Sequence, residues 1–78
     1  MPGTVRVAVR FFGSLAEKLG ERCDVDVAAP ATVAGLLQAL GLTEKTISIA
    51  VVDGIQVPLS ASLHDGGSVM LVPPVIGG

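Results

Sequence analysis

The stretch TVRVAVRFFGSLAEKLGERCDVDVA, residues 4–28, sets the architecture of this chain. Over 4–12, Val5, Val7, Val9 and Phe11 fall on one face and Arg6 and Arg10 on the other, the period-two pattern of a half-buried strand. In GSLAEKLG, Ser14 and Glu17 have capping-box spacing, Leu15 and Leu19 lie one turn apart, and Gly20 offers a left-handed stop; together they predict a short helical turn. RCDVDVA, residues 22–28, alternates again, with Cys23, Val25 and Val27 inward and Arg22, Asp24 and Asp26 outward. Paired as an antiparallel hairpin, the two strands set Arg6 and Arg10 on the same outer face as Asp24 and Asp26. Opposite charges across strands favour such pairing by roughly 0.2–1 kcal/mol each.

Beyond the hairpin, PATVAGLLQALG, residues 30–41, has the clearest helical pattern. Val33, Leu36, Leu37 and Leu40 repeat at helical spacing, Thr32 can cap the start and Gly41 the end. Gly35 inside it costs about 1 kcal/mol relative to Ala, so the helix depends on packing. ISIAVV (47–52) predicts a strand, Asp53–Gly54 a tight turn, and IQVPL (55–59) a return strand confined to an edge by Pro58. DGG (65–67) is a further turn, and SVMLV (68–72) the last strand. About five strands and one main helix make an α+β sandwich, a mixed sheet covered on one face. The ubiquitin-like β-grasp has this order of elements.

Both ISIAVV and SVMLV are apolar on both faces: Ile47, Ile49 and Val51 oppose Ala50 and Val52, and Val69 and Leu71 oppose Met70 and Val72. One helix covers one side only, so an apolar patch on the outer sheet face, and a partner to bury it, are expected.

The 78 residues carry a net charge of -2 and no basic, aromatic-studded patch, which disfavours a nucleic-acid partner. With Cys23 as the single cysteine, no internal disulfide forms, consistent with a reducing compartment. No signal peptide and no run of about 20 apolar residues is visible, so a soluble, cytoplasmic domain without membrane contact is expected. His64 reads as a solvated loop histidine, Cys23 as a small inward residue, Asp53 and Asp65 as turn formers, and Asp24 and Asp26 as a solvated strand face. No phosphate loop and no metal-ligand spacing occurs, so no bound cofactor or metal is expected. Catalysis by the chain alone is therefore not expected.

The remaining feature is VPPVIGG, residues 72–78. Pro73 and Pro74 donate no backbone hydrogen bonds and end the ladder stiffly. The residues beyond them reach about 13–14 Å when extended. Gly77 and Gly78 present no side chain and fit a narrow channel. The expected organisation is a domain over 1–74 and a flexible Gly-Gly tail over 75–78 that delivers the Gly78 carboxylate to another protein's active site. There the carboxylate requires activation, most simply as an acyl-adenylate.

VRFFGSLAEKLG, ATVAGLLQALG and LHDGGSVMLVPPVIGG together resemble, nearly end to end, the MoaD/ThiS family of ubiquitin-like sulfur carriers. The likeness is greatest to its branch of molybdopterin synthase small subunits. The resemblance implies that Gly78, preceded by Gly77, is adenylated by a MoeB-like enzyme that uses ATP and becomes a thiocarboxylate. It further implies sulfur delivery to a pterin precursor within a MoaE-like large subunit, in molybdenum cofactor biosynthesis. Phe12, Met70, Val72, Pro73, Pro74, Val75 and Ile76 would then contact partners. A ThiS-like carrier for thiamine thiazole, a carrier for another sulfur pathway, and a ubiquitin-like modifier joined to lysines through Gly78 share the same tail.

Overall fold

The computed structural model describes residues 3–74. Along the chain run β1 (Thr4–Phe11), α1 (Gly13–Leu19), β2 (Arg22–Ala28), α2 (Val33–Ala39), a 3-10 turn (Glu44–Thr46), β3 (Ile49–Val52), β4 (Ile55–Val57) and β5 (Gly67–Val72). The strands form one sheet in the order β2-β1-β5-β3-β4. β1 and β5 are parallel, and the other neighbours are antiparallel. With helices on one side of the mixed sheet, this is the ubiquitin-like β-grasp, an α+β fold.

Alternation sorts the side chains as expected. Val7, Val9 and Phe11 of β1 and Val69 and Leu71 of β5 are buried, with Val9 and Val69 at 0% exposure. Ala50 and Val52 are the inward residues of β3, and Ile49 and Val51 the outward ones. β3 starts two residues later than the apolar run suggests: Ile47 is buried before the strand begins, so it reaches the core from the preceding loop. β4 is a short edge strand that stops before Pro58, and its Ile55 is 67% exposed.

The helices differ in how they are capped. In α2, the Thr32 hydroxyl accepts from Gly35 N–H at 3.1 Å. At the other end Leu42 N–H donates to Leu37 O and Gly41 N–H to Gln38 O, at 2.8 and 3.0 Å. That is the Schellman pattern, and Gly41 makes it possible with φ of +76°. Val33, Leu36 and Leu37 are buried, and α2 lies against β2. In α1 the capping box does not form: the N-cap is Phe12, an extended residue with no side-chain cap bond, and Ser14 already lies inside the helix. The helix starts earlier because Gly13, at φ +57°, turns the chain directly out of β1.

The register of the hairpin departs from the expected charge pairing. Arg6 lies opposite Asp26, and its Nε donates to Asp26 Oδ1 at 3.1 Å. Arg10, however, lies opposite Arg22, while Asp24 faces Ala8. One ion pair forms here rather than two.

The start of β5 is tied down by two aspartates. Asp65 Oδ1 accepts from Arg6 N–H at 2.8 Å, and Gly66 N–H returns a bond to Arg6 O at 2.8 Å. Asp53 occupies a turn with Gly54, both at positive φ, as in a type I′ hairpin. Its Oδ1 accepts from Ser68 N–H at 2.9 Å and its Oδ2 lies 2.5 Å from His64 Nε2. His64 is exposed, as expected, but it is not an isolated loop residue: its Nδ1 also lies 3.3 Å from Asp65 O. Acceptors at both ring nitrogens select the doubly protonated imidazolium. Accordingly its pKa is raised above 6.5, first by the Asp53 hydrogen bond. Asp53 is lowered below 3.8, first by the Ser68 N–H and then by His64.

Two predictions follow from this packing. A Cβ added at Gly35 meets Thr32 Oγ1 at 3.5 Å and Val27 Cγ1 at 3.6 Å, ordinary contact distances. Gly35→Ala is therefore expected to stabilise the fold by about 0.5–1 kcal/mol in urea unfolding, and a loss would mean α2 cannot accept the methyl group. The second concerns pH. A raised histidine pKa gives stability that is complete below 6.5 and fades as pH rises through the folded value. A lowered aspartate pKa gives stability that is complete above 3.8 and fades as pH falls through the folded value. The Tm of the native chain should thus exceed that of His64→Gln most between those two values and converge with it at higher pH. A difference that is constant with pH would contradict the pairing.

Candidate functional site

β5 is the central strand, and the site forms where it leaves the sheet. Its last pairings are Phe11↔Leu71 on one side and Ile49↔Val72 on the other. Ser48 N–H donates to Val72 O at 2.7 Å, the final bond of the ladder. Pro73 and Pro74 then follow without an N–H to offer, and pairing ends there as the sequence suggests. Pro73 is half-buried and Pro74 exposed.

The exit is seated against the β1–α1 junction. A Cβ placed at Gly13 would come within 3.1 Å of Pro73 Cγ. Gly13 thus serves twice, as a positive-φ turn and as a bare surface for the proline ring. Phe12, one residue beyond the last β1–β5 pair, is half-buried at the same end of the sheet. The guanidinium of Arg10 lies 5.6 Å from the centroid of the Phe12 ring.

The outer sheet face carries an apolar strip that is less exposed than the sequence leads one to expect. Met70 and Val72 alternate outward from β5, and across from them stand Val51 and Ile49 of β3. All four are half-buried, with no helix over them. Sequence reasoning had placed Phe12, Met70, Val72, Pro73 and Pro74 at a contact surface, and the fold brings all five to one end of the molecule. Val75, Ile76, Gly77 and Gly78 lie outside the described residues. Gly13 was missed as a site residue; the signal was a glycine directly after a strand, facing in sequence a double proline that ends the other central strand.

The described groups with the clearest acid–base pairing lie away from this exit. His64 and Asp53 stand at the opposite end of β5, where Asp53 N–H donates to Ser68 O at 2.8 Å. Their side chains are 65% and 42% exposed. Cys23 is half-buried, and burial, then the Asp24 charge, pushes its thiol above 9.0, so it stays protonated and unreactive at neutral pH. Among the described residues no three His, Cys, Asp or Glu side chains cluster to hold a metal. No helix of the described residues is long and apolar enough to cross a membrane. What the exit offers chemically is presentation: Pro73 and Pro74 end the ladder beside an apolar strip.

Comparison with known proteins agrees with that geometry. No curated protein matches the chain in sequence. The solution structure of the HVO 2177 protein of Haloferax volcanii is similar, with 28% identity, TM-score 0.81, and 100% of this chain covering 91% of that one. The crystal structure of SAMP1 from Haloferax volcanii shares 27% identity at TM-score 0.75, covering 94% of this chain and 99% of that one. A complex of subunits 1 and 2 of molybdopterin-converting factor from Helicobacter pylori contains a chain 26% identical at TM-score 0.63, covering 95% and 100%. The profile of the ThiS family matches residues 9–78, from the middle of β1 onward, and the chain belongs to that family.

Proposed function

We propose that this chain is a sulfur carrier whose terminal Gly78 becomes a thiocarboxylate, and that it donates the sulfur as the small subunit of a molybdopterin synthase. The observation that carries the proposal is the exit of β5 at Pro73 and Pro74, with Pro73 seated on the bare backbone of Gly13. Family membership and the likeness to a chain found in a two-subunit molybdopterin-converting factor support it.

The chemistry belongs to the partners. An oxygen of the Gly78 carboxylate attacks the α-phosphorus of ATP in a MoeB-like enzyme, and pyrophosphate leaves. A donor supplying sulfur at the oxidation level of hydrosulfide then attacks the carbonyl carbon. The C–S bond forms, the C–O bond to AMP breaks, and the thioacid loses its proton. In a MoaE-like large subunit the sulfur passes to a pterin precursor, and hydrolysis of the acyl link restores the carboxylate. The contribution of this chain is reach and slenderness: Val75 to Gly78 span about 13–14 Å when extended. Phe12, Met70, Val72, Pro73, Pro74, Val75 and Ile76 are proposed to line the contact with both partners.

A second reading has one specific observation in its favour. The protein titled small archaeal modifier protein 1, from Haloferax volcanii, shares 25% identity with this chain at TM-score 0.71. A modifier would use the same adenylate but pass the Gly78 carbonyl to a lysine amine.

After reaction with the cognate adenylating enzyme, ATP and a sulfur donor, intact mass spectrometry should show one oxygen of the chain replaced by sulfur. Deleting Gly77 and Gly78, or adding one residue after Gly78, should abolish the exchange while leaving Tm unchanged. Exchange that survives the added residue would exclude the terminal carboxylate. Isopeptide adducts in denatured cell extracts would favour the modifier reading. For the exit itself, Gly13→Ala should cost about 1–2 kcal/mol from backbone strain. It should also reduce thiocarboxylation at temperatures where the variant is fully folded. Gly41→Ala carries a comparable strain with nothing within 4 Å of the new methyl, and should lose stability alone. Equal activity of the two variants would show that the Pro73 seat does not position the tail.

A further inference from the structure

The hairpin register leaves a charge pattern that the fold itself does not resolve. Phe11 N–H donates to Glu21 O at 2.9 Å, so residues 11 and 21 are a hydrogen-bonded pair. Arg10 and Arg22, the next pair in register, therefore occupy a non-hydrogen-bonded site, where opposing side chains stand closest. Two like charges in that position disfavour the pairing. Neither is neutralised within the fold: among the described residues, ion pairs join only Arg6 to Asp26 and His64 to Asp53. The nearby acids do not intervene, since Asp24 faces Ala8 and Glu21 contributes its backbone carbonyl.

The location of this pair is informative. Arg22, Arg10, Met70, Val51 and Gln56 form one row across the outer face, from β2 to β4. The cationic end of the row thus runs directly into the half-buried apolar strip beside the Pro73 exit. Arg10 is also held over the Phe12 ring, which orients its guanidinium at the edge of the strip.

We propose that Arg10 and Arg22 together bind carboxylates on an acidic surface of the protein that adenylates the tail. The proposal rests on the carrier reading above. Paired guanidinium groups match carboxylates in bidentate geometry, and an opposing acid would convert a repulsive pair into an attractive cluster. A protein surface fits better than a free anion because the same contact would cover Met70 and Val51. A polyanion such as nucleic acid is disfavoured by the overall charge of -2. Binding energy gained here acts on encounter and register, not on the chemistry at Gly78.

The test is steady-state adenylation of the full chain by its cognate adenylating enzyme, read as pyrophosphate release. Arg22→Glu turns the like-charge pair into an opposite-charge pair with Arg10, so its Tm should equal or exceed that of the native chain. Its KM should nevertheless rise roughly tenfold with kcat within about twofold, and the native KM should rise with added salt more steeply than that of the variant. Arg22→Gln should fall between the two. Arg6→Glu changes the charge equally on the same face, away from the exit, and should leave KM within about twofold of native. A KM for Arg22→Glu no higher than for Arg6→Glu overturns the proposal, as does a loss of kcat together with Tm. So does a native chain that self-associates and is made monomeric by Arg22→Glu with KM unchanged, because the occupant would then be a second copy. A native chain that is not adenylated at all overturns the carrier reading as well, so the two failures are distinct.

Discussion

The parallel pairing of β1 with β5 is the constraint on which the molecule depends. It joins nearly the first and last described residues side by side in the middle of the sheet, with Val7 to Phe11 matched to Gly67 to Leu71. Every other element is the crossover between those two strands. Parallel neighbours require a long connection, and here the connection supplies β2, both helices, β3 and β4. Val7, Val9, Phe11, Val69 and Leu71, the inward residues of the pair, are the middle of the core. Because the pair is central, no edge of the sheet borders β5, and both its neighbours must be in place before it is fixed.

Polar groups obey the same geometry. Among the described residues no polar or charged side chain is buried and no buried side-chain polar atom lacks a partner. The side-chain polar bonds that matter are at the start of β5. Asp65 ties its beginning to the backbone of Arg6, and Asp53 ties Ser68 to the β3–β4 turn. Exposed ion pairs by themselves contribute little, so these aspartates act mainly by satisfying backbone N–H groups that the ladder leaves open. His64 is an addition to that arrangement rather than its basis. Gly67 belongs to it as well: a Cβ there would lie 3.0 Å from His64 O, a tight contact that the backbone would have to shift to accept.

Much of this was readable from the residues because period-two and helical patterns agree with turn chemistry at each boundary. RCDVDVA alternates without exception and became β2 over the same residues. Thr32 and Gly41 flank α2 as cap residues should, because their chemistry is local. Two features resisted for physical reasons. Ser14 and Glu17 have capping spacing, but spacing does not reveal that Gly13 will adopt positive φ and start α1 two residues earlier. The ion pairs failed on arithmetic that was available. Arg6 and Arg10 are separated by four residues but Asp24 and Asp26 by two, so one antiparallel register cannot oppose both arginines to both aspartates. Once Arg6 meets Asp26, Arg10 must meet Arg22. Face assignment follows from alternation alone, whereas pairing needs the register, and the turn that fixes register is nonlocal in its consequences.

The two ends of β5 are therefore built for different tasks. At its start, hydrogen bonds from two aspartates and a histidine converge, all within the fold and all at least partly in water. At its end, the ladder closes with Ser48 and Val72, prolines forbid further pairing, and a proline ring rests on a glycine. The contact of Pro73 with Gly13 is one of van der Waals packing and adds no hydrogen bond to the ladder. A strand anchored by hydrogen bonds at its start and closed by prolines at its end holds its place in the core without extending the ladder. The apolar strip and the arginine pair lie beside the place where β5 leaves the sheet, so one partner surface can cover both together.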